Sequence, residues 1–140
     1  PYVEKLFGKT VFCDGDMLRK IFLLKDYSEK GRLSMDKMYS DFCSLIIKNN
    51  INLIFATVSM SHAARKTNRK RFKNYIEIYI KRKKLYRQKV RKKIFISIDK
   101  EKIELPKNSD FIINNNYKIE HSISKLKTFL NKINKKNTIF

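Results

Sequence analysis

Asp14, Gly15, Asp16 and Arg19 are the residues of this chain whose types and spacing best suit chemistry. The stretch before them, Thr10 to Cys13, is short, apolar and partly β-branched, as a buried strand requires. Gly15 permits a sharp turn where that strand ends. In open parallel α/β sheets, ligands bind just beyond the carboxyl ends of the strands. Asp14 and Asp16 stand at such an edge, and Arg19, one helical turn later, faces the same crevice. A carboxylate there can orient a hydroxyl and accept its proton, or hold a magnesium-bound water. An arginine can clamp a phosphate or sulfate through two parallel hydrogen bonds. The set therefore suits phosphoryl transfer to a hydroxyl. It equally suits a capped strand-to-helix turn with surface charges, since Asp and Gly are common turn residues.

The elements that must position this set follow from the pattern along the chain. Residues 2–7 read as the end of a helix, with Gly8 as its C-cap. Residues 26–31 read as a loop. Ser34 reads as an N-cap with Asp36 in the favourable first turn. Met35, Met38, Tyr39, Phe42, Leu45 and Ile46 recur at helical spacing and form a core stripe, and Asn49-Asn50 closes that helix. Residues 51–58 are largely apolar, as in a parallel strand covered on both faces. Ser59 follows at its carboxyl end, either as a helix N-cap or as a substrate contact. A polar helix over 61–73 and a strand over 75–80 come next. The run 82–91 is densely basic; it reads either as a solvated face or as cations for phosphates. A turn at 107–109 leads to a short strand at 111–113. Ile119, Ile123, Leu126, Leu130 and Ile133 then mark an amphipathic helix, with 134–140 fraying. Strands alternating with helices imply a three-layer α/β domain with a mostly parallel sheet and right-handed crossovers.

The chain has 140 residues, enough for one domain (1–140) with a real core. No stretch is long enough to span a membrane, and no signal-peptide pattern is seen. Cys13 and Cys43 lack C-x-x-C spacing and read as buried free thiols in a reducing cytoplasm. His62 and His121 stand far apart without metal-ligand spacing. The 33 lysines and arginines outweigh 13 acidic residues, giving a net charge of +20. Taken literally, that charge predicts polyanion binding. The basic residues are spread along the chain, however, and accompany abundant Ile and Asn, as an AT-rich genome produces. Most aromatics fall in apolar strands and helix stripes, which speaks against a specific nucleic-acid surface.

Val11-Phe12-Cys13-Asp14-Gly15-Asp16-Met17-Leu18-Arg19 resembles the "LDGDNLR" segment of the adenylylsulfate kinases and their relatives, which are P-loop kinases. Other blocks agree in order. Tyr27-Ser28 followed by Arg32 resembles "GFS…DR". Ile54 to Ser59 resembles the strand ending in "SFIS". Asn68-Arg69 and Asn74 to Ile80 resemble "NR…YFEVYV". Lys83-Lys84-Leu85-Tyr86 resembles "KGLY", and Ile98-Asp99 to Asn108 resembles "GID…YEAPENP". The order of these blocks across 10–115 is more specific than any one of them.

The resemblance implies a P-loop NTPase-type fold and an ATP- and Mg²⁺-dependent kinase that phosphorylates the 3′-hydroxyl of adenylyl sulfate or a related nucleotide. Asp16 is then the carboxylate nearest the accepting hydroxyl, and Asp14 supports magnesium or the turn. Arg19 and Arg32 clamp the acceptor's anionic group, and Ser59 contacts substrate. Lys83, Leu85, Tyr86, Arg87 and Asp99 belong to the lid and nucleotide side. A nucleotide substrate, no membrane, no specific nucleic acid, a cytoplasmic location and a homodimer are all compatible with it. Two departures matter. No G-x-x-x-x-G-K-[ST] motif precedes the DGD strand, so the expectation is a domain lacking its first strand, its P-loop and most of its first helix; a degenerate, inactive relative is the alternative. Met35 stands where the family's "DRVENIRR" has its asparagine, which weakens adenylyl sulfate as acceptor. The chain resembles at least as well the branch found in capsule-building gene sets, which acts on cytidine diphosphoramidate.

Overall fold

A computed structural model describes residues 1–26, 28–58, 60–81, 104–116 and 118–137. The expected blocks at Tyr27 and Ser59, the basic run 82–91 with Lys83, Leu85, Tyr86 and Arg87, and Asp99 lie outside the described residues. The order is α1 (Tyr2–Phe7), β1 (Thr10–Asp14), α2 (Gly15–Ile21), α3 (Glu29–Lys48), β2 (Asn52–Ala56), α4 (His62–Arg71), β3 (Ile78–Lys81), β4 (Phe111–Asn114) and α5 (Ile119–Asn137). The chain forms two compact units, the first holding 1–75 with Glu104 and Leu105, the second 76–81 and 106–137 among the described residues.

In the first unit β1 and β2 pair in parallel, from Thr10 opposite Asn52 to Asp14 opposite Ala56. Their carboxyl ends therefore finish level. Along β2 the side chains alternate, with Leu53 and Phe55 half-buried and Asn52, Ile54 and Ala56 exposed. Phe55 meets Tyr39 of α3 with ring centroids 5.2 Å apart. Leu18, Met35 and Tyr39 form the centre of the core, and Leu24, Met38, Phe42 and Phe55 pack around them. The apolar stripe of α3 is thus core, as its spacing predicts. Cys13 and Cys43 are both buried free thiols. Burial pushes the Cys43 thiol up to about 11 and raises Cys13 as well, away from the thiolate form.

The start of α3 corrects the sequence reading. The helix begins at Glu29, capped by Ser28, whose hydroxyl accepts from the Gly31 N–H at 3.1 Å. Ser34 lies inside the helix. Ser28 wins because Asp26 Oδ1 accepts its N–H at 2.8 Å and so fixes the turn that presents the hydroxyl. A Cβ on Gly31 would fall 2.3 Å from the Asp26 carboxyl carbon, so any larger residue there would displace the Asp26 side chain. The helix ends as expected, with Asn49 as C-cap. Gly8, at φ 87°, closes α1.

In the second unit β3 and β4 also pair in parallel, Ile78 opposite Phe111 through Lys81 opposite Asn114. α5 covers β4, with Phe111 stacked on Phe129 at 4.3 Å between ring centroids and Ile113 and Leu130 buried. Residues 134–137 continue α5 rather than fraying. Both strand pairs are parallel, so the expected α/β character holds, distributed over two two-stranded pairs among the described residues. Among those residues no helix is long and apolar enough to cross a membrane.

Candidate functional site

The carboxyl edge of β1 and β2 carries the predicted set. Asp14 ends β1 in extended conformation and caps α2, its Oδ1 accepting from the Met17 N–H at 2.6 Å. One carboxylate oxygen is therefore committed to the turn, and Oδ2 remains. Asp16 lies in the first turn of α2 with its side chain exposed, where the helix dipole favours a negative charge. The turn is fixed from the core side: the Tyr39 hydroxyl donates to the Gly15 carbonyl at 3.1 Å. Thr57, just past β2, lies alongside, its Oγ1 3.7 Å from where a Gly15 Cβ would stand. The ends of the two strands thus form one ledge.

Arg19 is half-buried and donates from Nη1 to the Asp26 carbonyl at a long 3.4 Å. It braces the segment that leads into α3. The Asp26 carboxyl is held below the usual carboxylate range, first by the Ser28 N–H and more weakly by the charge of Arg19. Arg32, one turn into α3, is half-buried in the wall of a small hollow of about 70 Å³. Glu29, Leu33 and Asp36 share that wall on α3; Met60, Ser61 and Glu104 face them. A larger hollow of about 300 Å³ runs on between α3 and α4, sharing Leu33, Asp36 and Ser61 and continuing to Ser40, Asn68 and Arg71.

In this second region the sequence assigns no role to Ser40 or Arg71, none beyond a matched block to Asn68, and a different role to Asp36. Asp36 does not serve the first turn of α3; it is 7% exposed, and its Oδ2 accepts from the Ser61 N–H at 2.9 Å. Ser40 and Asn68 form a buried pair, with the Ser40 hydroxyl donating to Asn68 Oδ1 at 2.6 Å. Arg71 then joins α4 to α3 through Asp41 at 2.7 Å. The only available signal was three polar residues, Asp36, Ser40 and Ser44, on the buried side of an otherwise apolar helix stripe. Met35 is in the core, as its place in the α3 stripe predicts. It is buried against Leu18 and Tyr39, so its side chain serves the core. Lys37 is 81% exposed and paired with Asp41 at 2.7 Å.

Magnesium commonly keeps several waters and takes one or two carboxylates plus substrate phosphates. The ledge fits that pattern through Asp14, whose Oδ2 accepts no hydrogen bond from the described residues. Among the described residues no three His, Cys, Asp or Glu side chains converge as a closed metal site.

No protein-family model matches the chain. The chain is similar to cytidine diphosphoramidate kinase of Campylobacter jejuni subsp. jejuni, 32% identical over 128 residues, covering 80% of this chain and 74% of that protein. Its fold is similar to that in the crystal structure of APE1195, with a TM-score of 0.73 at 19% identity over 94% of this chain and 87% of the other. At that identity the second likeness concerns the fold alone. The kinase character implied by the DGD segment agrees with the first, which is named for cytidine diphosphoramidate rather than adenylyl sulfate. With a third of the aligned positions identical across most of both chains, the chain belongs to the kinase family that includes cytidine diphosphoramidate kinase.

Proposed function

We propose that this protein transfers a phosphoryl group from ATP, with Mg²⁺, to a ribose hydroxyl of a cytidine diphosphoramidate-type nucleotide. The observation that carries the reading is the ledge itself: Asp14, Gly15 and Asp16 at the level carboxyl ends of two parallel strands, in a chain related to a cytidine diphosphoramidate kinase. Asp16 orients the accepting hydroxyl and takes its proton. Asp14 holds the turn through Oδ1 and offers Oδ2 toward magnesium, which would neutralise charge on the transferring phosphoryl group. Arg19 and Arg32 hold the anionic end of the acceptor. Ser59 contacts the acceptor, and Lys83, Leu85, Tyr86, Arg87 and Asp99 serve the ATP side.

The test is a comparison of kcat/KM for cytidine diphosphoramidate and adenylyl sulfate, using the protein with its natural amino terminus. Preference for the cytidine nucleotide is expected. A strong preference for adenylyl sulfate would return the protein to sulfate activation, and transfer to neither would end the kinase reading.

A further inference from the structure

The hollow beside Arg32 has an unusual balance of donors and acceptors. Of the amides at the start of α4, where anions elsewhere bind, all but that of Ala63 in the larger hollow are already taken. The Ser61 N–H goes to Asp36 Oδ2, the His62 N–H to Glu104 Oε2, and the Ala64 N–H to the Ser61 hydroxyl. What the wall presents instead is acceptors. Asp36 is nine-tenths buried, lines both hollows, and accepts through Oδ1 no hydrogen bond from the described residues. Glu104, whose Oε2 accepts from the His62 N–H, stands in the same wall. Against these, Arg32 supplies a guanidinium that forms no hydrogen bond or ion pair among the described residues.

A terminal sulfate or phosphate brings only acceptor oxygens and negative charge. Arg32 would welcome it, but the buried Asp36 carboxylate would repel it. A terminal phosphoramidate differs by one atom: its –NH₂ donates while its oxygens accept. It can give its oxygens to Arg32 and its N–H to Asp36, leaving no buried polar atom opposed. A site built around a hydrogen bond rejects the analogue that lacks it, because its own group is then left unpaired. We infer that Asp36 is the specificity-determining residue of the acceptor site, reading the amine of a terminal P–NH₂ group while Arg32 holds the oxygens. The inference rests on the proposed function for its choice of nucleotide.

The test is calorimetric binding to the natural protein of three ligands: cytidine diphosphoramidate, CDP, and the β-methyl ester of CDP. The ester has the charge of the amidate but no N–H, so it separates repulsion from hydrogen bonding. The amidate should bind about ten- to a hundredfold more tightly than either of the others, the span of one charge-assisted hydrogen bond. Asp36→Asn keeps an oxygen for the Ser61 N–H and should shrink the preference over CDP to within about threefold. Arg32→Ala should weaken amidate and CDP alike. If the ester matches the amidate in the wild type, the amine is not read and the inference fails, whatever the variants do. Retention of the full preference in a folded Asp36→Asn protein overturns it too. In both cases tight binding of the cytidine ligands leaves the kinase reading standing, whereas binding of none would remove both.

Discussion

The ledge at Asp14–Arg19 and the hollow at Asp36–Ser61 are held together in different ways. On the ledge, the capping bond spans three residues, Asp14 to Met17, and the Arg19 contact spans seven. At the hollow, Asp36 reaches Ser61 across 25 positions, Ser40 reaches Asn68 across 28, and Arg71 reaches Asp41 across 30. The ledge exposes the acid proposed to move a proton and uses its neighbours only to shape a turn. The hollow buries its polar groups and spends most of their hydrogen bonds on joining two helices. Under the proposed function, chemistry falls where the chain builds the site locally, and recognition where the fold must be complete. Substitutions on the ledge should therefore cost turnover, and substitutions around the hollow should cost stability.

The largest expected effect is on the ledge. Asp16→Asn should lower turnover by roughly 10²–10⁴-fold, the usual contribution of one positioned acid–base group. Its melting temperature should stay close to wild type, because the side chain is exposed. Steady-state kinetics at saturating acceptor check the first part and thermal denaturation the second. Unchanged turnover would move the chemistry elsewhere. At the hollow, Asn68→Ala should destabilise the protein by about 1–3 kcal/mol, since it strips the buried Ser40 hydroxyl of its acceptor. Denaturant titration measures this, and a loss under about 0.5 kcal/mol would mean the helices do not depend on that pair.

A smaller effect separates cap from core. Ser28→Ala removes the side-chain cap of α3 and should cost about 1 kcal/mol, read as a lower denaturation midpoint at unchanged slope. The smallest effect concerns acid. The Asp41 carboxyl is held below its ordinary value, first by the Lys37 ammonium and then by Arg71. A carboxylate lowered in the folded state adds stability above its unfolded pKa of about 3.9. That contribution is lost as the pH falls through the lower folded value. Wild type and Asp41→Asn should therefore differ near neutral pH and converge in acid. A constant difference down to the acid limit would show that Asp41 does not act through its charge.

This contrast also explains which features could be read from the sequence. The strand, turn and short helix at 10–21 are a local pattern and form where their residue types place them, although Val11 and Phe12 of the strand are exposed rather than buried. The strands at 52–56 and 111–114 lie within a residue or two of their apolar runs. The start of α3 was misread because two serines could cap it, and the deciding Asp26–Ser28 turn is a matter of geometry rather than composition. Met35 was legible as core from its helical spacing with Met38, Tyr39 and Phe42, and it is buried there against Leu18 and Tyr39. Asp36 looked like a first-turn acid because its partner, the Ser61 N–H, is a backbone group and leaves no mark in the sequence. The separation of the strands into two pairs followed from no periodicity at all.

Tyr39 gives α3 a further role. Its hydroxyl holds the Gly15 carbonyl of the turn, while Arg32 stands seven residues earlier on the same helix. A helix rises 1.5 Å per residue and does not stretch, so these two points are kept about 10 Å apart along its axis. Under the proposed function, α3 is a ruler laid between the end of the acceptor that carries charge and the ledge that meets its hydroxyl. Only an acceptor whose two ends match that interval can touch both at once. Shortening the nucleotide by one phosphate would leave one end of the ruler empty.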